Sequence, residues 1–158
     1  MTPFRNIRHL AARFFGVLLS DPLGPSAQDD VNTILAQQLA SLFWDQDPID
    51  QRHAYDVAMR VRHFLGNDDA ALEAALLHDI GKRHSDLGAI ARSLATIGDN
   101  LHLPLPDRWR RYRDHGPLGA SDLVASGASP LTVAFARGEV GPGIDQDVWD
   151  ALREADNV

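Results

Sequence analysis

Apolar residues in this chain recur at spacings of three and four, and nowhere do they alternate over the four to eight positions that a half-buried strand needs. The clearest stretch follows Asp47-Pro48, where Tyr55, Met59 and Phe64, with Ala54, Val57, Ala58 and Val61 between them, form one helical stripe that Gly66-Asn67 ends. Short contiguous helices of this kind can bury their stripes only on one another, so the chain is expected to be all-α, a single-domain helical bundle. Ser26, whose relation to Asp29 resembles a capping box, should open a helix through Val31, Ile34, Leu35, Leu39 and Leu42. Further helices are expected over about 68–80, 87–97, 106–112, 117–126, 130–137 and 146–157, with no internal repeat and no low-complexity tract.

Met1 to Ser20 carries Arg5, Arg8 and Arg13 ahead of the apolar run Phe14-Phe15-Gly16-Val17-Leu18-Leu19. That run is short for the apolar part of a signal peptide, no clean cleavage site follows, and nothing in the chain nears the roughly 20 apolar residues of a membrane span. It reads as an amphipathic helix covering the domain. With no Cys among 158 residues, thiolate catalysis, iron-sulfur clusters, disulfides and zinc fingers are excluded together. The same absence fits a reducing, cytoplasmic setting. A formal charge of −7 argues against general nucleic-acid binding, which depends on cationic side chains, although a local basic patch is compatible with it.

Any metal must therefore be held by histidines and carboxylates. In Leu76-Leu77-His78-Asp79-Ile80-Gly81-Lys82 an imidazole and a carboxylate stand side by side at the end of an apolar run, about 100° apart around a helix, and can grip one cation from two directions. Lys82, the only lysine beside fourteen arginines, follows in a glycine-containing turn where its ammonium could meet a phosphate; it could equally be a solvated lysine favoured by the helix dipole. The segment Arg108-Trp109-Arg110-Arg111-Tyr112-Arg113-Asp114-His115 interleaves cations with aromatics. It is either a solvated basic face with Trp109 and Tyr112 turned inward or a source of nucleotide-binding groups such as Arg111.

Four elements in order carry a resemblance to a known family: a helix-borne histidine in Asp50-Gln51-Arg52-His53-Ala54, the His78-Asp79 pair in its Ile-Gly-Lys setting, His115-Gly116-Pro117-Leu118-Gly119-Ala120, and the terminal Leu152-Arg153-Glu154-Ala155-Asp156-Asn157. With them the chain resembles the HD-domain superfamily of metal-dependent phosphohydrolases over residues 47–158, leaving 1–46 as N-terminal helices that pack on this core. The resemblance implies metal ligands at His53, His78, Asp79 and Asp156, holding about one divalent ion per chain (Fe, Mn, Co, Ni or Zn). It also implies hydrolysis of a phosphate ester, plausibly a nucleotide or related small molecule, by a metal-activated water. Asp79 would orient that water, and Lys82 and His115 would stabilise phosphate charge; on such a substrate the cation–aromatic segment would add Arg111 to the binding groups. Taken singly, His53 could be an ordinary half-exposed histidine, and Asp156 a solvated carboxylate for which Asp145, Asp147 or Asp150 could substitute.

One departure bears on mechanism. Relatives with two metals carry a further histidine where this chain reads Ala134-Phe135-Ala136-Arg137-Gly138-Glu139. Its absence points to a mononuclear phosphohydrolase. It leaves as alternatives a non-catalytic HD-fold module that binds a nucleotide or protein and, less in keeping with the missing imidazole, a di-iron oxygenase.

Overall fold

A computed structural model of the chain describes residues 21–85 and 115–157, and no strand occurs among them. In order they form α1 (Pro25–Ile34), α2 (Gln37–Trp44), α3 (Pro48–Leu65), α4 (Asp69–Leu77), a 3-10 segment (Ile80–Ser85), α5 (His115–Ala125), α6 (Pro130–Arg137) and α7 (Gln146–Asp156). The all-α class is therefore as the periodicity requires. The helices expected within 1–20, 87–97 and 106–112 lie outside the described residues. No described helix is long and apolar enough to cross a membrane.

α4 is the centre of the arrangement because nearly all of it is apolar: Ala71, Leu72, Ala74, Ala75, Leu76 and Leu77 are all buried. α1, α3, α6 and α7 pack against it, α7 also crosses α3, and α5 lies between α6 and the 3-10 segment. Val31, Leu35, Leu39 and Phe43 of the N-terminal part join Val57, Val61, Leu72, Leu76 and Leu152 in one apolar cluster. Each fully buried leucine contributes about 1.5–3 kcal/mol, so the helix that leads into His78 is firmly held.

Helix ends follow local chemistry. The Asp68 carboxylate accepts from Ala71 N–H (2.9 Å) at the start of α4, Ser129 Oγ accepts from Thr132 N–H (3.2 Å) at the start of α6, and Asp145 caps α7. Gly66 closes α3 at φ +69°, where a side chain would be strained. A second bond set ties α4 to α6: Glu73 Oε1 accepts from both Ser129 N–H and Thr132 Oγ1, each at 2.8 Å.

Three expectations need correction. The helix expected from Ser26 through Leu42 is two helices, because Leu35 and Ala36 are extended (ψ 132° and 151°). The β-branched residues Val31, Thr33 and Ile34 weaken the helix just before the break, and Thr33 Oγ1 bonds back to Asp29 O at 2.8 Å. The capping box is not formed, since Gly24 is the N-cap and Pro25 takes the first helical position, which its fixed φ suits. Finally, the helix expected to reach Ile80 ends at Leu77, so His78 and Asp79 occupy the junction between α4 and the 3-10 segment.

Candidate metal centre

His53 comes from α3, His78 and Asp79 from the end of α4, and Asp156 from the last turn of α7. The structure brings them together across 103 positions of sequence: His53 Nε2 and His78 Nε2 each stand 3.3 Å from Asp156 Oδ1. Asp79 Oδ2 is 3.3 Å from His78 Nε2 and 3.9 Å from His53 Nε2. The two imidazole rings are 5.5 Å apart, centroid to centroid. The ligand atoms of His53, His78 and Asp156 all lie within 4.8 Å of one another, a cluster that could hold a metal ion. Asp145, Asp147 and Asp150 do not compete for the role: Asp145 caps the opposite end of α7, and the other two are exposed.

His78 is the informative member. Its Nδ1 donates to the carbonyl of Ala75 (2.9 Å), which leaves Nε2 of the neutral ring as a lone-pair acceptor. Nε2 is buried and has no hydrogen-bond partner, while the nearest polar atoms are carboxylate oxygens, themselves acceptors. Acceptors facing one another out of water repel unless a positive charge lies between them. Without an ion at the site that charge is a second proton, on His78 Nε2. Burial alone would lower the His78 pKa, but the carboxylates of Asp79 and Asp156 outweigh it and raise the imidazole to about 10. Burial likewise pushes Asp156 up, and the imidazoles of His53 and His78 reverse this, holding its carboxyl well below the ordinary range. Two imidazole nitrogens and a carboxylate oxygen, with a second carboxylate adjacent, suit a divalent transition metal.

Lys82 lies on the 3-10 segment with its ammonium against Asp79 Oδ2. The backbone there closes tightly, Lys82 N–H donating to Asp79 O at 2.9 Å. α5 fits against this turn only because residue 119 is glycine: a Cβ there would lie 2.8 Å from Gly81 N and 3.0 Å from Ile80 Cγ2. His115 heads α5. Its side chain, and all of Arg111, lie outside the described residues, so their expected substrate roles rest on the sequence.

A cavity of about 420 Å³ opens beside the cluster, lined by His78, Asp79 and Asp156, by the aromatic rings of Phe135 and Trp149, and by Arg137 and Arg153. Phe135 stands 5.9 Å from the His78 ring and 5.4 Å from the Trp149 ring, edge to face with the latter. Gly138 is the left-handed C-cap of α6 at φ +77°. Sequence reasoning missed Arg60, whose guanidinium donates to Ala155 O (2.8 Å) and so pins the turn that carries Asp156. Its signal was its place seven residues after His53, two helical turns along the same face of α3. Arg153 was equally readable, three residues before Asp156. No family model matches the chain, and the comparisons with curated proteins and with solved structures give no match either.

Proposed function

We propose that the chain is an HD-type metal-dependent phosphohydrolase acting on a small phosphate ester, with one divalent ion held by His53, His78 and Asp156 and with Asp79 as the fourth ligand. The observation that carries this reading is the buried, unpartnered Nε2 of His78 facing the oxygens of Asp79 and Asp156. A structural histidine would satisfy both ring nitrogens, whereas a metal ligand donates one N–H to a fixed acceptor and keeps the other nitrogen for the ion. The bond from Nδ1 to Ala75 O matches the second pattern.

A divalent ion at this position supplies a water with its pKa lowered toward neutrality and a Lewis acid for a phosphoryl oxygen. The chain's own groups do the rest. Asp79 orients and deprotonates the attacking water, held in place by the ammonium of Lys82. Lys82 and His115 offset negative charge as it builds on the phosphoryl oxygens, and Arg111 contributes to binding. The rings of Phe135 and Trp149 give the cavity an aromatic wall that suits an apolar or aromatic part of the substrate.

Elemental analysis of the purified protein followed by a panel of phosphomonoesters and nucleotides tests the proposal. Wild type should retain a transition metal and hydrolyse at least one class, and Asp79→Ala should lose both properties. Full hydrolysis by that variant would reject the assignment. A metal-free protein that stays inert with Mn, Fe, Co, Ni and Zn would instead support the binding-module alternative.

A further inference from the structure

The cavity has a charged wall opposite in sign to its carboxylates. Six arginines fall among the described residues, and four are engaged: Arg52 and Arg60 donate to backbone carbonyls, while Arg62 and Arg83 pair with carboxylates. The other two, Arg137 and Arg153, are the two that line the cavity, and neither guanidinium has a hydrogen bond or ion pair among the described residues. In a chain with an excess of seven negative charges, two cations without a partner among the described residues thus line one cavity.

We propose that Arg137 and Arg153 form an anion-binding wall that selects a ligand with two linked phosphoryl groups over one with a single phosphate. The charge count builds on the metal-centre reading above. Asp79 and Asp156 against Lys82 leave one negative charge, a divalent ion turns it to one positive, and the two guanidiniums bring the cavity to three positive charges. A lone phosphate ester, at most a dianion, leaves part of that uncompensated. A diphosphate ester places one phosphoryl group at the His–Asp cluster and gives the other to the guanidiniums, whose planar forks bind phosphate oxygens bidentately. The cavity volume lies within the roughly 300–1,000 Å³ range of small-molecule sites. A purely structural account would have each arginine serve only its helix end, where a cation interacts favourably with the dipole.

Calorimetric titration with methylenediphosphonate and methylphosphonate, neither of which carries a hydrolysable P–O–P bond or ester, separates the two accounts. It is run on wild type, Arg137→Gln and Arg153→Gln, in chelator-treated protein and again with Mn²⁺. Wild type should bind the diphosphonate at least about tenfold more tightly than the monophosphonate. Each variant should lose most of that preference while its metal-induced rise in melting temperature stays that of wild type. Equal binding of the two probes, no heat with either, or a preference that survives both substitutions overturns the proposal. Two outcomes distinguish it from the reading on which it rests. Arginine-dependent preference in chelated protein that Mn²⁺ fails to stabilise keeps the anion wall and rejects the metal centre; metal stabilisation without the preference does the reverse.

Discussion

Replacing His78 with Gln should abolish the stabilisation that metal confers on this fold, and the size of the loss follows from the geometry. A ligand that binds only the folded state adds about 2.7 kcal/mol when present at about 100 times its Kd. For a chain of 158 residues each kcal/mol moves the melting temperature by about 2–4 °C, so wild type should melt about 5–10 °C higher with metal than without it. His78 is a buried donor and the one whose orientation is fixed by a second bond, to Ala75 O. Loss of an outer-shell partner alone weakens metal sites by about 10–100-fold, and removing the ligand itself costs at least the upper figure. At the same metal concentration the variant then gains only about 0.4 kcal/mol, a shift of about 1 °C. The assay is differential scanning fluorimetry with and without Mn²⁺ or Zn²⁺ after chelation. Each protein serves as its own reference, so any change in intrinsic stability from the glutamine drops out. Asp56→Asn, which removes a half-exposed carboxylate on α3, the helix that carries His53, is the control and should keep the full shift. A His78→Gln protein stabilised as strongly as wild type would refute the assignment, as would a wild type that no transition metal stabilises.

Arg60→Met should leave the ligands in place yet weaken metal binding about tenfold, because the last turn of α7 loses its anchor to α3; an unchanged metal titration would show that Asp156 is positioned without it. Gly119→Ala should lower stability by about 1–3 kcal/mol and reduce the metal-induced shift, since the new methyl group meets the backbone of Gly81 two residues beyond Asp79; a wild-type melt with a full shift would contradict this. The pair between Asp30 and Arg62, joined at 2.7 and 3.0 Å, should govern part of the acid sensitivity. The bond to Arg62 holds the Asp30 pKa below its ordinary value. The pair's contribution of about 1 kcal/mol is therefore complete above the unfolded carboxyl pKa of about 3.9 and is lost as pH falls through the lower, folded value. Asp30→Asn should narrow the stability difference between pH 6 and pH 2 by about that amount, and identical acid profiles for the two proteins would dismiss the pair.

What the sequence disclosed was set by how local the determinants are. α3, α6 and α7 were legible because Pro48, Pro130 and the Asp145 cap open them and because Gly66 and Gly138 close the first two. The break at Leu35–Ala36 has no proline or glycine to mark it, and Leu35 is drawn into the core in an extended conformation that only tertiary packing explains. Similarly, the junction at His78 depends on how α5 meets the following turn at Gly119, a contact across 38 positions. The convergence of His53, His78 and Asp156 could be expected from the ordered motifs, but no periodicity predicts a meeting of residues 103 positions apart. The place of Arg60 on the His53 face of α3 is legible in the sequence, but the carbonyl it reaches, like the cavity that Arg137 lines, is set by tertiary packing alone.

The two bonds that Glu73 accepts from Ser129 and Thr132 have a kinetic corollary. Glu73 lies five residues before His78 on α4, and the helix it bridges carries Phe135, the ring that faces that histidine. Fraying α6 away from α4 would strand the Ser129 amide and expose the imidazole in one motion. Amide protons at the start of α6 and at the end of α4 should accordingly exchange with deuterium as one cooperative unit, at a common rate slowed by whatever occupies the space between the histidines.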